Sequence, residues 1–320
     1  MEMKINRPKI AIVVPCYNEE EILLMTDKNL EEVLLSLKLS NKITDDSFVV
    51  YVDDGSDDKT WQIITEITSG NMNRQGVKLS RNFGQQSALI AGLNQVRDIT
   101  DCSITIDADL QDDTAVIKDM VEQYTKGFEI VYGVRKKRDT DTFFKRRTAL
   151  FFYYLMRSLG ADIISNHSEY RLTGRKVLEK LFEFGEVNLF LRGMFPLVGF
   201  SSTCVYYDRK ERVAGETKYS IKKMLSLALD GITSFSIKPL RMVTFIGFTV
   251  FIISIAFSLY SLYSYLFLGT VPGWTSITLP IYFISGVQIL CIGILGEYLG
   301  KIYKEVKSRP RFIIEKILTN

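Results

Sequence analysis

The first half of the chain alternates short apolar runs with helical patterns. Ile10–Val14 is a β-branched run that stops at Pro15, the mark of a short buried strand. Glu20–Leu39 carries apolar residues at helical spacing: Ile22, Leu23, Val33, Leu34 and Leu37. The alternation continues. Strands are predicted over Phe48–Val52, Gly76–Leu79, Ser103–Ile106 and Glu129–Gly133, and helices over Lys59–Thr68, Gln85–Gln95 and Thr114–Tyr124. This order implies an α/β fold with a mostly parallel sheet, whose ligands bind beyond the carboxyl ends of the strands.

The second half has a different texture. Residues 134–147 are basic, with Arg135, Lys136, Lys137, Arg138, Lys145, Arg146 and Arg147. Residues 148–217 mix helix and strand around a polar group of His167, Glu169, Arg171, Arg192, Arg209 and Arg212. Over 218–239 Ile221, Met224, Leu225, Ala228, Leu229, Ile232 and Phe235 share one side, while Lys222, Lys223 and Asp230 lie away from it. That pattern suits a juxtamembrane helix on a lipid surface or one packed against the soluble part. Between Arg241 and Glu297 there is no Asp, Glu, Lys or Arg. Met242–Leu268 and Ser276–Gly296 each reach the roughly 20 apolar residues that cross a bilayer. Turn residues and an interfacial Trp274 join them. Lys238 and Arg241 precede the first span, and Lys301, Lys304, Lys307, Arg309 and Arg311 follow the second. The positive-inside rule therefore puts residues 1–217 and a basic tail, 301–320, in the cytosol, with the loop outside. Ile10–Val14 is too short for a secretory leader, which agrees.

Composition then removes several classes. The 320 residues include 40 basic and 37 acidic ones, a net charge of +3. That balance excludes a nucleic-acid binder driven by bulk charge, and 47% hydrophobic residues exclude a disordered chain. Cys16, Cys102, Cys204 and Cys291 form no CxxC pair, so neither a zinc cage nor a disulfide framework is indicated. His167 is the only histidine, which rules out a histidine-based zinc site within one chain.

The candidate chemistry is acidic and sits at strand ends. Tyr17, Asn18 and Glu19 follow the first strand; Asp53, Asp54, Ser56 and Asp57 follow the second; Asp107, Asp109, Gln111 and Asp112 follow the fourth. Hard oxygens without His or Cys suit Mg²⁺ or Mn²⁺, which bind through one or two carboxylates plus substrate phosphates. Taken singly, each group also reads as an ordinary solvated turn or helix cap. Three such groups at the ends of three strands are harder to dismiss.

These residues carry a resemblance. Val14-Pro15-Cys16-Tyr17-Asn18-Glu19, Val52-Asp53-Asp54-Gly55-Ser56-Asp57, Leu79-Ser80-Arg81-Asn82-Phe83-Gly84 and Asp107-Ala108-Asp109-Leu110-Gln111-Asp112 resemble family-2 glycosyltransferases. Within them the set is similar to the polyprenyl-phosphate enzymes, the dolichol-phosphate mannose synthases and bactoprenol glucosyltransferases. Ser168–Leu172, Ala214–Tyr219 and Gly296–Tyr303 look like the bacterial two-span branch. The resemblance implies a GT-A, nucleotide-sugar-binding fold and a divalent metal. It further implies sugar transfer to a polyprenyl phosphate held in the bilayer, with nucleotide sugar, polyprenyl phosphate lipid, the membrane bilayer and further copies of the chain in a homo-oligomer as partners. Carried over, Pro15, Tyr17, Asn18, Glu19, Asp54, Ser56, Asp107 and Ala108 line the nucleotide-sugar pocket, and Asp107, Asp109 and Gln111 hold the metal. Asp109, Arg135, Glu169 and Arg147 form the catalytic group. Arg135 with Arg146 or Arg147 receives the acceptor phosphate. Glu169 stands where relatives often carry Asp.

The physics of the reaction is compatible with that set. A phosphate monoester has a second pKa near about 6, so at neutral pH the acceptor is largely dianionic and a strong base is not obligatory. The site needs cations to gather two anions and to steady the departing diphosphate. Direct attack at the anomeric carbon inverts it. UDP-glucose is the first donor implied, UDP-N-acetylglucosamine the second, and GDP-mannose a third. A processive polysaccharide synthase lacks support, since no QxxRW-like motif occurs. A nicotinamide enzyme lacks the GxGxxG that would follow strand one. A membrane scaffold or flippase partner with a degenerate sugar site is the reading from another class.

Overall fold

The computed structural model describes residues 7–136, 167–186, 191–208, 238–267 and 273–319. Arg138, Lys145, Arg146, Arg147, Arg209, Arg212 and the amphipathic segment up to residue 237 lie outside the described residues.

The described chain divides into two compact units, one holding the sheet with the segment from Arg309 onward, the other the two apolar helices. In the first, the strands are β1 Ile10–Cys16, β2 Phe48–Asp53, β3 Arg74–Leu79, β4 Cys102–Thr105, β5 Ile130–Arg135, β6 His167–Gly174, β7 Ser202–Tyr207 and β8 Ile314–Leu318. The helices are α1 Leu23–Leu39, α2 Thr60–Thr68, α3 Gln85–Val96, α4 Val116–Thr125, α5 Arg175–Phe182 and α6 Leu191–Leu197. Every strand and helix predicted over 10–133 is present, with ends shifted by at most three residues.

The eight strands make one sheet in the order β7-β5-β6-β4-β1-β2-β3-β8. β4, β1, β2 and β3 pair in parallel. β6 runs antiparallel between β4 and β5, so its first residues lie at the same sheet edge as the last residues of its neighbours.

Side chains alternate across each strand, and β1 shows both faces. Ile10, Ile12 and Val14 join α1 residues Leu23, Leu30, Leu34 and Leu37 and α4 residues Ile117, Met120 and Val121 in one buried cluster. Val13 faces the other way, toward α3. There Gly92 lets helix and sheet approach closely: a Cβ on it would fall 2.4 Å from Val13 Cγ1 and 2.8 Å from Val52 Cγ2. Each fully buried aliphatic side chain in these layers contributes about 1.5–3 kcal/mol.

The segment read as a basic tail contains β8, which pairs antiparallel to β3 from Gly76–Leu318 to Leu79–Ile314, with a bulge between Lys78 and Leu79. Ser80 N–H donates to the Ile313 carbonyl at 3.0 Å, and Lys78 pairs with Glu315 at 3.1 Å. Five residues with Glu315 and Lys316 in the middle carry no clear period-two signal, which is why the sequence did not announce a strand.

The second unit contains α7 Lys238–Phe267 and α8 Trp274–Val306. Both are long and apolar enough to cross a membrane, with mean hydropathy 2.1 over Leu240–Phe257 and 1.6 over Phe283–Val306. α8 continues beyond Gly296, where the predicted span stops, and takes in Glu297, Lys301 and Lys304. Loss of hydrophobicity marks where an apolar span ends; it does not end a helix that meets no breaker.

Candidate active site

The site lies at the carboxyl ends of β1, β2 and β4 and the start of β6. Its outer part is two polar loops laced together. Asn18 N–H donates to Ser56 Oγ at 3.0 Å, and Asp57 N–H donates back to Asn18 Oδ1 at 3.0 Å. Glu19 N–H donates to Thr60 Oγ1 at 2.9 Å, and Lys59 N–H to Glu20 Oε2 at 3.0 Å. Asn18 reaches these bonds in the left-handed conformation, φ 53°, which asparagine tolerates better than most residues. The expected pocket residues Asn18 and Ser56 thus fasten one loop to the other. Pro15 is buried in β1 opposite Val52, while Tyr17 and Glu19 stay partly exposed above it.

Asp54 has a structural duty. Its two oxygens accept the N–H groups of Phe83 at 2.7 Å and Gly84 at 2.9 Å. Burial pushes its carboxyl upward, and those two donors pull it back down in part. The close crossing of this loop explains Gly55, with φ +67°: a Cβ there would fall 2.4 Å from the Arg81 carbonyl carbon. Asp53, fully buried, accepts Ser56 N–H at 3.2 Å through Oδ1. Its Oδ2 has no hydrogen-bond partner among the described residues.

The bracing of residues 81–84 fixes the start of α3, and α3 delivers two glutamines to the centre. Gln85 Nε2 donates to Asp107 Oδ1 at 2.7 Å. Gln86 Nε2 donates to Glu169 Oε1 at 3.1 Å. Asp107 is pushed up to about 7, first by burial and then by Asp112, Asp109 and Glu169, with Arg135 working against them. Four carboxylates therefore share one neighbourhood, in which Arg135 offsets part of the rise at Asp107. Ala108 is buried, its carbonyl accepting Thr26 Oγ1 at 2.7 Å. Leu110, at φ 53°, turns the chain so that Gln111 N–H donates to Asp109 Oδ1 at 3.2 Å.

Arg135 is held from the side. Its Nη2 lies 3.2 Å from Asp112 Oδ1, and the Tyr207 hydroxyl donates to the same oxygen at 2.5 Å. Burial works to lower the Arg135 guanidinium, but Asp112 and Tyr207 outweigh it and its net displacement is upward. Glu169 is buried and, among the described residues, takes donors from Gln86, from Arg171 through Nη2, and from Arg192 through Nε at 2.9 Å. Arg171 itself stacks on the Phe195 ring at 4.2 Å.

These bonds bring together most of the predicted centre: Asp107, Asp109, Arg135 and Glu169. The sequence reading missed Gln85, Gln86 and Tyr207. The two glutamines could have been found, since a polar pair opens a helix on the ligand side of the sheet. Tyr207 ends a strand and reads as core.

A mostly parallel sheet with paired carboxylates at a central strand end is the arrangement expected of a GT-A fold. Residues 11–182 match the model of glycosyl transferase family 2. The chain belongs to that family and is a glycosyltransferase. It is 49% identical over 99% of its length to the uncharacterized glycosyltransferase YkoT of Bacillus subtilis (strain 168), covering 94% of that protein. It is 40% identical over 96% of its length to the bactoprenol glucosyl transferase of Shigella phage SfII, covering 98% of that protein. Among solved structures, the mannosyltransferase PcManGT from Pyrobaculum calidifontis aligns with a TM-score of 0.49 and 17% identity, over 74% of this chain and 65% of that one.

Proposed function

We propose that the enzyme transfers one sugar from a nucleotide sugar to a polyprenyl phosphate at the cytosolic face of a membrane. The carrying observation is the 40% identity to a bactoprenol glucosyl transferase across nearly the whole of both chains, apolar helices included. UDP-glucose is the first donor to test. Residues 1–217 form the catalytic part, and α7 and α8 hold it where a long isoprenoid tail remains in lipid, with both chain ends cytosolic.

The residues present fit a divalent cation. Among the described residues no three His, Cys, Asp or Glu groups form a ready cage. Asp107 and Asp109 supply two hard carboxylates, and burial with like charges leaves Asp107 short of positive partners. Mg²⁺ and Mn²⁺ sites are commonly completed by substrate phosphates. Asp107 and Asp109, with Gln111 beside them, would hold the ion, which supplies positive charge to the departing diphosphate.

The chain's own groups do the rest. Gln85 fixes the direction of Asp107. Arg135, steadied by Asp112, presents a permanent cation for a phosphate, joined in this reading by Arg146 or Arg147. Glu169, paired with Arg171 and Arg192, orients substrate and arginine. An acceptor that is already anionic attacks without a base, so the anomeric carbon inverts.

The test uses full-length protein in lipid vesicles with undecaprenyl phosphate, Mg²⁺ or Mn²⁺, and a panel of radiolabelled nucleotide sugars. Label should pass into the extracted lipid with equimolar release of nucleoside diphosphate. Absence of both with every donor overturns the proposal.

A further inference from the structure

Consecutive residues on a helix point about 100° apart. Gln85 and Gln86 use that divergence to reach two different strand ends, Asp107 after β4 and Glu169 at the start of β6. Gln86 goes further. Its Oε1 accepts the N–H of Leu191 at 2.9 Å, at the first residue of α6. The next residue, Arg192, returns through Nε to Glu169 Oε1 at 2.9 Å, the same oxygen that receives Gln86 Nε2. Gln86, Glu169, Arg192 and Leu191 thus close a ring that joins α3, β6 and α6.

The two ends of the Gln86 carboxamide are not interchangeable here. One must donate to a carboxylate and the other must accept from a backbone N–H, so flipping the amide breaks both bonds at once. The charge of Glu169 is already balanced by Arg171 and Arg192. Gln86 therefore contributes direction, with almost no charge. A purely packing residue between α3 and α6 would need neither polar end.

We infer that Gln86 is a positioning residue, which fixes the carboxylate of Glu169 and, through the Leu191 N–H, the placement of Arg192 beside it. The inference rests on the reading above that Glu169 faces the substrates. It assigns Gln86 no contact with them.

The experiment compares four full-length proteins in the vesicle assay: wild type, Gln86→Met, Glu169→Gln and the double variant. Methionine keeps the length and removes both hydrogen bonds. Gln86→Met should lower kcat about 10–100-fold, as loss of an outer partner of a site carboxylate commonly does. Its KM for the nucleotide sugar should stay within about twofold, and its melting temperature within about 4 °C of wild type. In the Glu169→Gln background the same change should cost less than about twofold, because the residue it acts through is already altered. Gln86→Glu, which keeps the acceptor for Leu191 but faces Glu169 with a like charge, should lose at least as much kcat as Gln86→Met. Unchanged kcat in Gln86→Met or Gln86→Glu overturns the inference. So does an equal loss in both backgrounds, or a loss confined to KM. Wild type that makes labelled lipid while Glu169→Gln loses nothing overturns both the role given to Glu169 and this inference. A Glu169→Gln loss beside an intact Gln86→Met overturns the inference alone.

Discussion

Asp107 and Glu169 act on each other electrostatically beside the junction of β4 and β6. The ladder ends at Thr105–Arg171, two residues short of each, and the charge of Glu169 is among those that push Asp107 upward. Two acidic side chains in one neighbourhood repel. The fold answers that repulsion unequally. Glu169 is given two arginines and Gln86, while Asp107 is given Gln85 and more carboxylates. The imbalance, which Arg135 offsets only in part, fits the divalent cation proposed for this site.

Asp107→Asn should abolish transfer and yet stabilise the metal-free protein above neutral pH. An ordinary Asp titrates near about 3.9, and Asp107 is raised to about 7. Between those values the folded state holds a proton that the unfolded chain has released, so stability falls as pH rises through that window. Melting of metal-free wild type should therefore drop from pH 5 to pH 8, and Mg²⁺ or Mn²⁺ should restore it at pH 8. Asp107→Asn should flatten this part of the pH dependence. A wild-type melting curve that neither falls with pH nor responds to either ion would refute the assignment.

Asp54→Ala should act through the loop it braces. Two N–H donors to one carboxylate are lost, at about 1.5–3 kcal/mol for each charged hydrogen bond. Denaturant unfolding should show a lower midpoint with unchanged slope. Because the same loop sets the start of α3, kcat should fall as well. Full activity in a destabilised protein would separate the brace from the site.

Gly92→Ala should destabilise by about 1–3 kcal/mol, the range for overpacking a closed layer. Its Cβ would collide with Val13 Cγ1. Adding Val13→Ala should recover part of the loss, since the two sites share one space. Strict additivity of the two changes would show that α3 is not seated on β1 as described.

Most of the fold was legible because its signal is local. Ile10–Val14 and Leu34–Leu37 declare a strand and a helix from a few neighbouring residues. The acidic strand ends were legible too, since Asp107 and Asp109 sit at a predicted strand tip. What escaped was set by contacts far apart in sequence. Gln86 meets Glu169 and Leu191 only after β6 has entered the sheet beside β4. Asp54 and Ser56 carry the right residue types for a ligand, but their bonds go largely to other loops. No periodicity distinguishes a carboxylate that holds substrate from one that holds backbone.

The edge strand β8 follows both apolar helices in the chain, yet it completes the sheet that begins with β1. During synthesis β3 must therefore wait with its outer edge bare until α7 and α8 have left the ribosome. Synthesis of those helices and closure of the sheet become ordered events, the first preceding the second. A bare β3 edge is also a template for pairing with other chains. Synthesis of both apolar helices thus comes before the sheet can be finished, and a chain stalled before residue 314 is left with an adhesive border.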